Sequence, residues 1–191
     1  VNAGMLAVAR RAPARVDWRQ GSASDLPWPD GSFDHAMSQF ALMFVDPRSS
    51  AVPEMARVTR PGGTVTVATW CRIEESPGYA AMVELLDRLF GGEVAAALLA
   101  PFTIGAAEEL RAEMVVACEE VDVRRVDGTA RFASIDDWVR VDVRGWTLAD
   151  LIDDQQFAEL LAAARTDLRR FAAADGRVEF PAPALVGVGT A

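Results

Sequence analysis

The spacing of hydrophobic and polar residues changes several times in the first 70 residues, and each change marks an expected element. Apolar residues recur at helical spacing near the N-terminus, whereas Val16 and Trp18 alternate with polar neighbours as in a half-buried strand. The β-branched run T-V-T-V-A-T predicts a strand, and the Pro-Gly-Gly before it ends a helix. In chain order the pattern predicts a helix at 3–11, strands at 15–20 and 33–38, a helix at 47–59 and a strand at 64–69.

The rest of the chain is dominated by longer stretches with helical spacing. The pattern predicts helices at 78–90 and 106–118, a strand at 121–126, mostly helix across 134–174 and a strand at 177–188. Pro181 and Pro183 interrupt the last strand. Because proline cannot donate to a strand ladder, an edge position or a bulge is expected there.

Alternating strands and helices predict an α/β fold in which parallel strands are joined by helical crossovers. The 191 residues, 51% of them hydrophobic, suffice for one domain with a single sizeable core. Ligands of such sheets bind at the carboxyl ends of the strands. The residues that follow the predicted strands are therefore the first place to look for a site.

Charge and cysteine content narrow the classes of partner. A net charge of -9 argues against binding to a nucleic-acid backbone, which requires a surplus of basic residues. No apolar run approaches the roughly 20 residues that a membrane span needs. Cys71 and Cys118 match no metal-ligand spacing, so two free buried thiols and no metal are expected. A cytoplasmic protein without a nucleic-acid or membrane-spanning role is the expectation.

Two motifs carry a family resemblance. The run D-L-P-W-P-D-G-S-F-D at 25–34 resembles the signature D-L-P-F-x-D-x-S-F-D of class I, Rossmann-like S-adenosylmethionine-dependent methyltransferases. Within that class the resemblance is to the methyltransferase type 11, ubiquinone-menaquinone methyltransferase-like family. The run R-P-G-G at 60–63 resembles the helix-to-strand corner of the same family. The resemblance implies a Rossmann-like methyltransferase sheet with a helical lid.

The resemblance also implies a site for S-adenosylmethionine. Ser22 and Ala23 occupy positions that contact adenine in relatives, and residues 38–40 occupy the strand end that holds the methionine portion. The run V-N-A-G-M-L at 1–6 matches the turn and helix that follow a ribose-binding acid, although Met5 could equally be a core residue. The implied cofactor-binding residues are Val1, Met5, Ser22, Ala23, Ser38, Gln39 and Phe40.

The glycine-rich loop of the family and the ribose-binding acid would precede Val1, so an N-terminally truncated sheet is expected. Each lost charge-assisted contact would weaken donor binding by about 1.5 to 3 kcal/mol. Three explanations stay open: a longer enzyme, a chain that pairs with a second copy or a partner to complete its sheet, and a non-catalytic remnant. The expected parts of the single domain are a partial cofactor-binding core at 1–70, a helical lid and substrate region with one strand at 71–174, and a C-terminal strand at 175–191.

Aromatic residues after strand ends or in the expected lid are the candidates for a substrate pocket, although each could instead belong to the core. They are Phe44, Trp70, Tyr79 and Trp146. They suit a small, partly apolar acceptor such as a quinone-like compound or another secondary metabolite. No residue stands out as a catalytic base, because the single histidine, His35, lies at the amino end of its strand.

The expected function is S-adenosylmethionine-dependent methyl transfer to a small, partly apolar acceptor. The alternative is a truncated, non-catalytic binding or partner protein built on the same fold. A nicotinamide-dependent oxidoreductase is disfavoured because the sequence contains no G-x-G-x-x-G.

Overall fold

The computed structural model describes residues 3–12, 15–145 and 147–191. Its helices are α1 (Ala3–Ala9), α2 (Ala51–Val58), α3 (Pro77–Phe90), α4 (Gly92–Leu99), α5 (Ala107–Met114), α6 (Ile135–Arg144) and α7 (Asp154–Asp167). Its strands are β1 (Phe33–Gln39), β2 (Thr59–Trp70), β3 (Glu119–Val126), β4 (Thr129–Phe132), β5 (Val178–Pro181) and β6 (Ala184–Thr190). No helix in these ranges is long and apolar enough to cross a membrane.

Four strands form the main sheet in the order β1-β2-β6-β3, and β4 and β5 form a separate two-stranded ribbon. β1 and β2 are parallel and are joined by α2, as expected. β6 is antiparallel to both of its neighbours. β1, β2 and β3 therefore run in the same direction, as predicted, and β6 alone runs against them.

The strand predicted at 15–20 is wrong, since these residues have no regular secondary structure. Val16 is 49% exposed and Trp18 is 37% exposed. An alternating pattern forms a strand only when a neighbouring strand receives its hydrogen bonds. No strand of the described residues pairs with this segment or with the outer edge of β1.

The C-terminal region differs from expectation as well. The predicted strand at 177–188 is two strands, β5 and β6, and β6 lies between β2 and β3 rather than at an edge. Pro181 and Pro183 leave the ladder of β6 intact because both precede it. Residues 71–174 contain two strands rather than one, and the first of them, β3, joins the main sheet.

One face of the main sheet is covered by α2 and α5. Val65, Val67 and Leu185 point to this face and are buried with Leu110 and Met114 of α5. Gly187 of β6 permits the close approach of α5, since a Cβ there would lie 2.4 Å from the sulfur of Met114. We call this side of the sheet the covered face.

The other side, which we call the open face, is not packed against a helix of the described residues along β1 and most of β6. Its side chains alternate with those of the covered face. Met37 of β1 is 66% exposed and Val188 of β6 is 40% exposed. The sheet is therefore half-covered, unlike the doubly wound sheets whose two faces both carry helices.

The lid has its own hydrophobic core, which α3, α4, α6, α7 and the β4-β5 ribbon build together. Trp138 of α6 lies at its centre and is fully buried, with its ring centroid 4.8 Å from that of Phe180. The first turn of α3 packs on the same phenyl ring, and only glycine fits at position 78, where a Cβ would lie 2.4 Å from Phe180. We call this cluster the lid core.

Candidate functional site

The carboxyl end of β1 stops at a backbone with positive φ. Phe40 has φ 52°, which is uncommon for a residue with a large side chain and is typical of functional turns. Its N-H donates to the carbonyl oxygen of Ala68 at 2.9 Å, which holds the turn against β2. The phenyl ring stacks on Trp70 at the end of β2, with centroids 4.1 Å apart and planes 9° apart.

A cavity of about 310 Å³ opens beside this stacked pair, and we call it the aromatic pocket. The ribbon and the end of β3 close its far side. Its lining contains no charged side chain: Phe40, Trp70, Tyr79, Val126, Gly128, Thr129, Ala130, Phe132, Ala182 and Ala184. A few aromatic walls around an apolar space are typical of sites for small organic ligands.

The structure brings together two of the four residues predicted for the substrate pocket, Trp70 and Tyr79. Phe44 belongs to a 3₁₀ turn at Leu42–Phe44, is 44% exposed and does not line the aromatic pocket. Trp146 lies outside the described residues. Phe40, which was expected at the cofactor, lines the aromatic pocket as well.

A second, smaller cavity of about 30 Å³ lies behind the aromatic pocket and shares Trp70 and Tyr79 with it as walls. Asp142 of α6 lines this rear cavity and is only 4% exposed. The indole Nε1 of Trp138 donates to its Oδ2 at 2.6 Å. Burial raises the pKa of Asp142 to about 7, and the hydrogen bond from Trp138 opposes this shift.

Sequence reasoning missed Asp142, although a signal was present. The buried residues of α6 are Ile135, Trp138, Val139, Asp142 and Val143, so the carboxyl occupies a position of the apolar stripe. A carboxyl in such a stripe is almost never fully buried unless it has a partner. Burial first, and then the charge of Asp142, raises the pKa of Tyr79.

The signature loop 25–34 is held in place by two side chains of α2. Glu54 Oε2 accepts from the N-H of Leu26 at 2.8 Å, and Arg57 donates to the carbonyl oxygens of Leu26 and Trp28. Arg57 also pairs with Glu54 and with Asp30. The hydrogen bond from Arg57 is the main reason that the pKa of Glu54 falls to about 2. The carboxylate of Glu54 and the guanidinium of Arg57 therefore hold this motif against α2.

The residues predicted to bind the cofactor lie in two different surroundings. Ala23, Ser38 and Gln39 line one trough of about 490 Å³ that follows the outer edge of β1. The hydroxyl of Ser22 lies 2.6 Å from that of Ser24 and accepts from the Ser24 N-H at 3.2 Å. Met5 is 72% exposed on α1, a helix without buried residues, and Val1 lies outside the described residues.

This arrangement fits a bound donor in part. The trough and the turn at Phe40 meet at the carboxyl end of β1, where ligands of α/β sheets bind. His35 also lines the trough but is exposed and lies near the amino end of β1. No group of three or more potential metal ligands occurs in the described parts of the chain.

Comparison with known proteins gives the same class of protein as the fold. Residues 1–67 match the family model described as "Methyltransferase domain". The demethylmenaquinone methyltransferase of Renibacterium salmoninarum is 38% identical over 85 residues, which are 44% of this chain and 36% of that protein. The demethylmenaquinone methyltransferase of Beutenbergia cavernae is 42% identical over 81 residues, or 40% of this chain and 34% of that protein.

A solved structure of an S-adenosylmethionine-dependent methyltransferase from Thermotoga maritima superposes with a TM-score of 0.53. It is 18% identical, and the match covers 99% of this chain and 70% of that one. The likeness shows the fold: a Rossmann-like class I methyltransferase sheet with a helical lid. The first 67 residues of the chain are therefore similar to a methyltransferase domain. The chain spans about a third of the length of the curated relatives that it matches.

Proposed function

We propose that this chain takes part in methyl transfer from S-adenosylmethionine to a small, partly apolar acceptor held in the aromatic pocket. The observation that carries the proposal is the stacked pair of Phe40 and Trp70, which places the aromatic pocket beside the carboxyl end of β1. The trough of about 490 Å³ along the outer edge of β1 ends at the same place. Donor and acceptor would therefore meet at the turn between Gln39 and Ala41.

Ala23, Ser38, Gln39 and Phe40 would hold the donor. When bound, S-adenosylmethionine supplies a methyl group on a positively charged sulfur. The protein's part is to orient and to exclude water, because most of the rate of such a displacement comes from bringing the reactants together in line. The packed rings of Phe40 and Trp70 give the acceptor a rigid wall, since neither ring can turn without breaking the stack.

A planar, quinone-like ring fits the shape and chemistry of the aromatic pocket, because its lining offers flat apolar faces and no charge. The names of the relatives, demethylmenaquinone methyltransferases, support the same class of acceptor. The free, buried thiols of Cys71 and Cys118 fit a reducing compartment, so we include a cytoplasmic location in the proposal.

Calorimetric titration of the full chain with S-adenosylhomocysteine tests the donor half of this proposal. We expect measurable binding by the wild type and roughly tenfold weaker binding by Phe40→Ala, because the variant loses one aromatic contact. Phe44→Ala is the matched control, since Phe44 is exposed and away from both cavities. Absence of binding at millimolar ligand would exclude the chain alone as a methyltransferase.

The half-covered sheet favours a second candidate function, that of a partner protein whose sheet is completed by another chain. The outer edge of β1 presents unpaired backbone groups among the described residues, and such edges pair readily with another strand. Apolar side chains, among them Met37, lie beside that edge. A second copy of the chain, paired along β1, would cover both the unpaired strand edge and the apolar side chains beside it.

Sedimentation of the chain at increasing concentration tests this candidate. A dimer is expected if β1 edges pair, and Met37→Lys should return the chain to a monomer, because an edge charge opposes pairing. Val141→Lys is the control, since Val141 is exposed on α6, away from β1. A wild type that stays monomeric at every concentration would remove the second copy as the partner.

A further inference from the structure

Asp142, in the rear cavity, is the one acidic side chain among the described residues that line the aromatic pocket and the rear cavity. We propose that Asp142 accepts the hydroxyl proton of the acceptor, so that the acceptor is a phenol or an enol. The inference rests on the proposed function, because it places the acceptor in the aromatic pocket. It deepens that function by naming the chemical class of the acceptor and the group that takes its proton.

The position of Asp142 is the first argument. Trp70 and Tyr79 separate the rear cavity from the aromatic pocket and belong to both. The volume of about 30 Å³ is large enough for a water molecule, which could carry a proton between an acceptor hydroxyl and the carboxyl. A ring that lies in the aromatic pocket with its hydroxyl toward Tyr79 would therefore lie beside the wall that the two cavities share, with Asp142 on the other side of that wall.

The second argument is that the two carboxyl oxygens of Asp142 have different surroundings. Oδ2 accepts from the indole of Trp138 at 2.6 Å, which orients the carboxyl group. The bond from Trp138 occupies Oδ2 and leaves the second oxygen, Oδ1, on a side chain that lines the rear cavity. A carboxylate accepts hydrogen bonds at both of its oxygens, so a donor in the rear cavity could approach Oδ1.

The electrostatics of the cavity suit proton transfer at neutral pH. Burial raises the pKa of Asp142 to about 7, which makes the carboxylate a stronger base than an exposed one and still leaves it ionised in part. Tyr79, from α3, is the other titratable group that lines the cavity. The remaining lining residues, from β2, α4 and the turn after α4, carry no charge: Trp70, Ala97, Leu98, Pro101 and Phe102.

The step balances with a sulfonium methyl donor. The hydroxyl oxygen of the acceptor gives its proton, through the water, to the Asp142 carboxylate, which becomes a neutral carboxylic acid. The same oxygen forms a bond to the methyl carbon while the carbon-sulfur bond breaks and its electron pair stays on the sulfur. The products are a methyl ether, a neutral thioether and protonated Asp142, which returns its proton to solvent.

Binding of 1-naphthol to the full chain tests the proposal without the donor. Its hydroxyl is a donor for a carboxylate, so the wild type should bind it about tenfold more tightly at pH 8 than at pH 5.5, as Asp142 ionises. Naphthalene, which has the same rings and no hydroxyl, should bind with no pH dependence. Asp142→Asn keeps the size of the side chain and an acceptor for Trp138, and it should remove the pH dependence for 1-naphthol.

The wild type alone supplies an independent readout. In carbon-13 NMR of the labelled side-chain carboxyl, 1-naphthol should lower the pKa of Asp142 by about one unit, because a ligand that prefers the ionised form stabilises it. An unchanged pKa with 1-naphthol bound, or a pH dependence that persists in Asp142→Asn, would leave Asp142 only as an anchor for Trp138 and overturn the proposal. If neither compound binds, the aromatic pocket itself is not the acceptor site, and the proposed function fails with it; donor binding by calorimetry remains a separate result.

Discussion

The lid core and the outer margin of the sheet use the same kinds of side chain and bury them to different extents. Phe180 is 2% exposed and lies within 6 Å of the rings of Trp138, Phe171 and Tyr79. Phe33 of β1 is 37% exposed and its ring contacts Trp28. The difference is one of neighbours: helices surround the first ring, and the edge of β1 has no strand beside it in the described residues. Stability should therefore reside in the lid core and the covered face.

Phe180→Ala against Phe33→Ala is the largest test of this comparison. Loss of a fully packed phenyl ring costs about 3 to 5 kcal/mol, because a cavity remains in addition to the lost burial. The exposed ring should cost less than about 1 kcal/mol. Urea unfolding followed by fluorescence measures both free energies of unfolding. Equal losses would mean that the margin is packed as tightly as the lid core.

The pH dependence of Asp142→Asn sharpens the description of the lid core. The pKa of Asp142 is raised from 3.8 to about 7, so the folded state binds more protons than the unfolded state between these values. This contribution to stability is complete below pH 3.8 and is lost as the pH rises through 7. The loss should be on the order of 4 kcal/mol.

Unfolding free energies at pH 5 and pH 8 check this sign. The wild type should lose stability relative to Asp142→Asn as the pH rises. Asp87→Asn, at an exposed aspartate of α3, is the control and should follow the wild type. If Asp142→Asn differs from the wild type by the same free energy of unfolding at both pH values, ionisation of the buried carboxyl does not destabilise the fold.

Two valines of the main sheet compare its faces directly. Val65 is fully buried on the covered face, whereas Val188 is 40% exposed on the open face. We expect Val65→Ala to cost about 2 kcal/mol and Val188→Ala less than about 1 kcal/mol, since the apolar area removed from water differs. Thermal unfolding of the two variants measures this difference. A similar cost at both positions would show that something covers the open face in solution.

Glu54→Gln should cost less than the changes at the fully buried positions, because Glu54 lies at the partly exposed margin. The lost charge-assisted contacts to Arg57 and Leu26 should cost about 1 to 2 kcal/mol at pH 7. The pKa of Glu54 is lowered to about 2, so this stability is present above pH 4.5 and is lost as the pH falls toward 2. Denaturation at pH 7 and pH 3 checks the trend, with exposed Glu159→Gln as the control. A cost that grows at low pH would contradict the ion pair.

Much of the fold was predictable because its signals are local. The helix at 78–90 and the strand at 121–126 were placed to within two residues, since their periodicity and their ends are both present in the sequence. Free, buried cysteines were also predicted, and Cys71 and Cys118 are both buried and free. The strand at 15–20 was not, because alternation records a preference that only a neighbouring strand can satisfy.

The candidate site was predictable only in its general location. Trp70 and Tyr79 were identified because aromatic residues that follow a strand end are candidates for a ligand pocket in an α/β fold. The structure places both beside one pocket. Their partners Phe132 and Asp142 lie far away along the chain, on β4 and α6. No local pattern predicts that the lid packs so that Phe132 and Asp142 lie near Trp70 and Tyr79.

By itself the sequence determined the class of fold, many of the helices and strands and the strand end where ligands are expected, because periodicity, caps and motifs depend on neighbours along the chain. Only the tertiary structure decided that β6 lies inside the sheet, that one face stays open and that Asp142 is buried behind Trp70. The physical reason is that burial, strand pairing and pKa depend on residues distant in sequence, which the packing of the lid brings into contact.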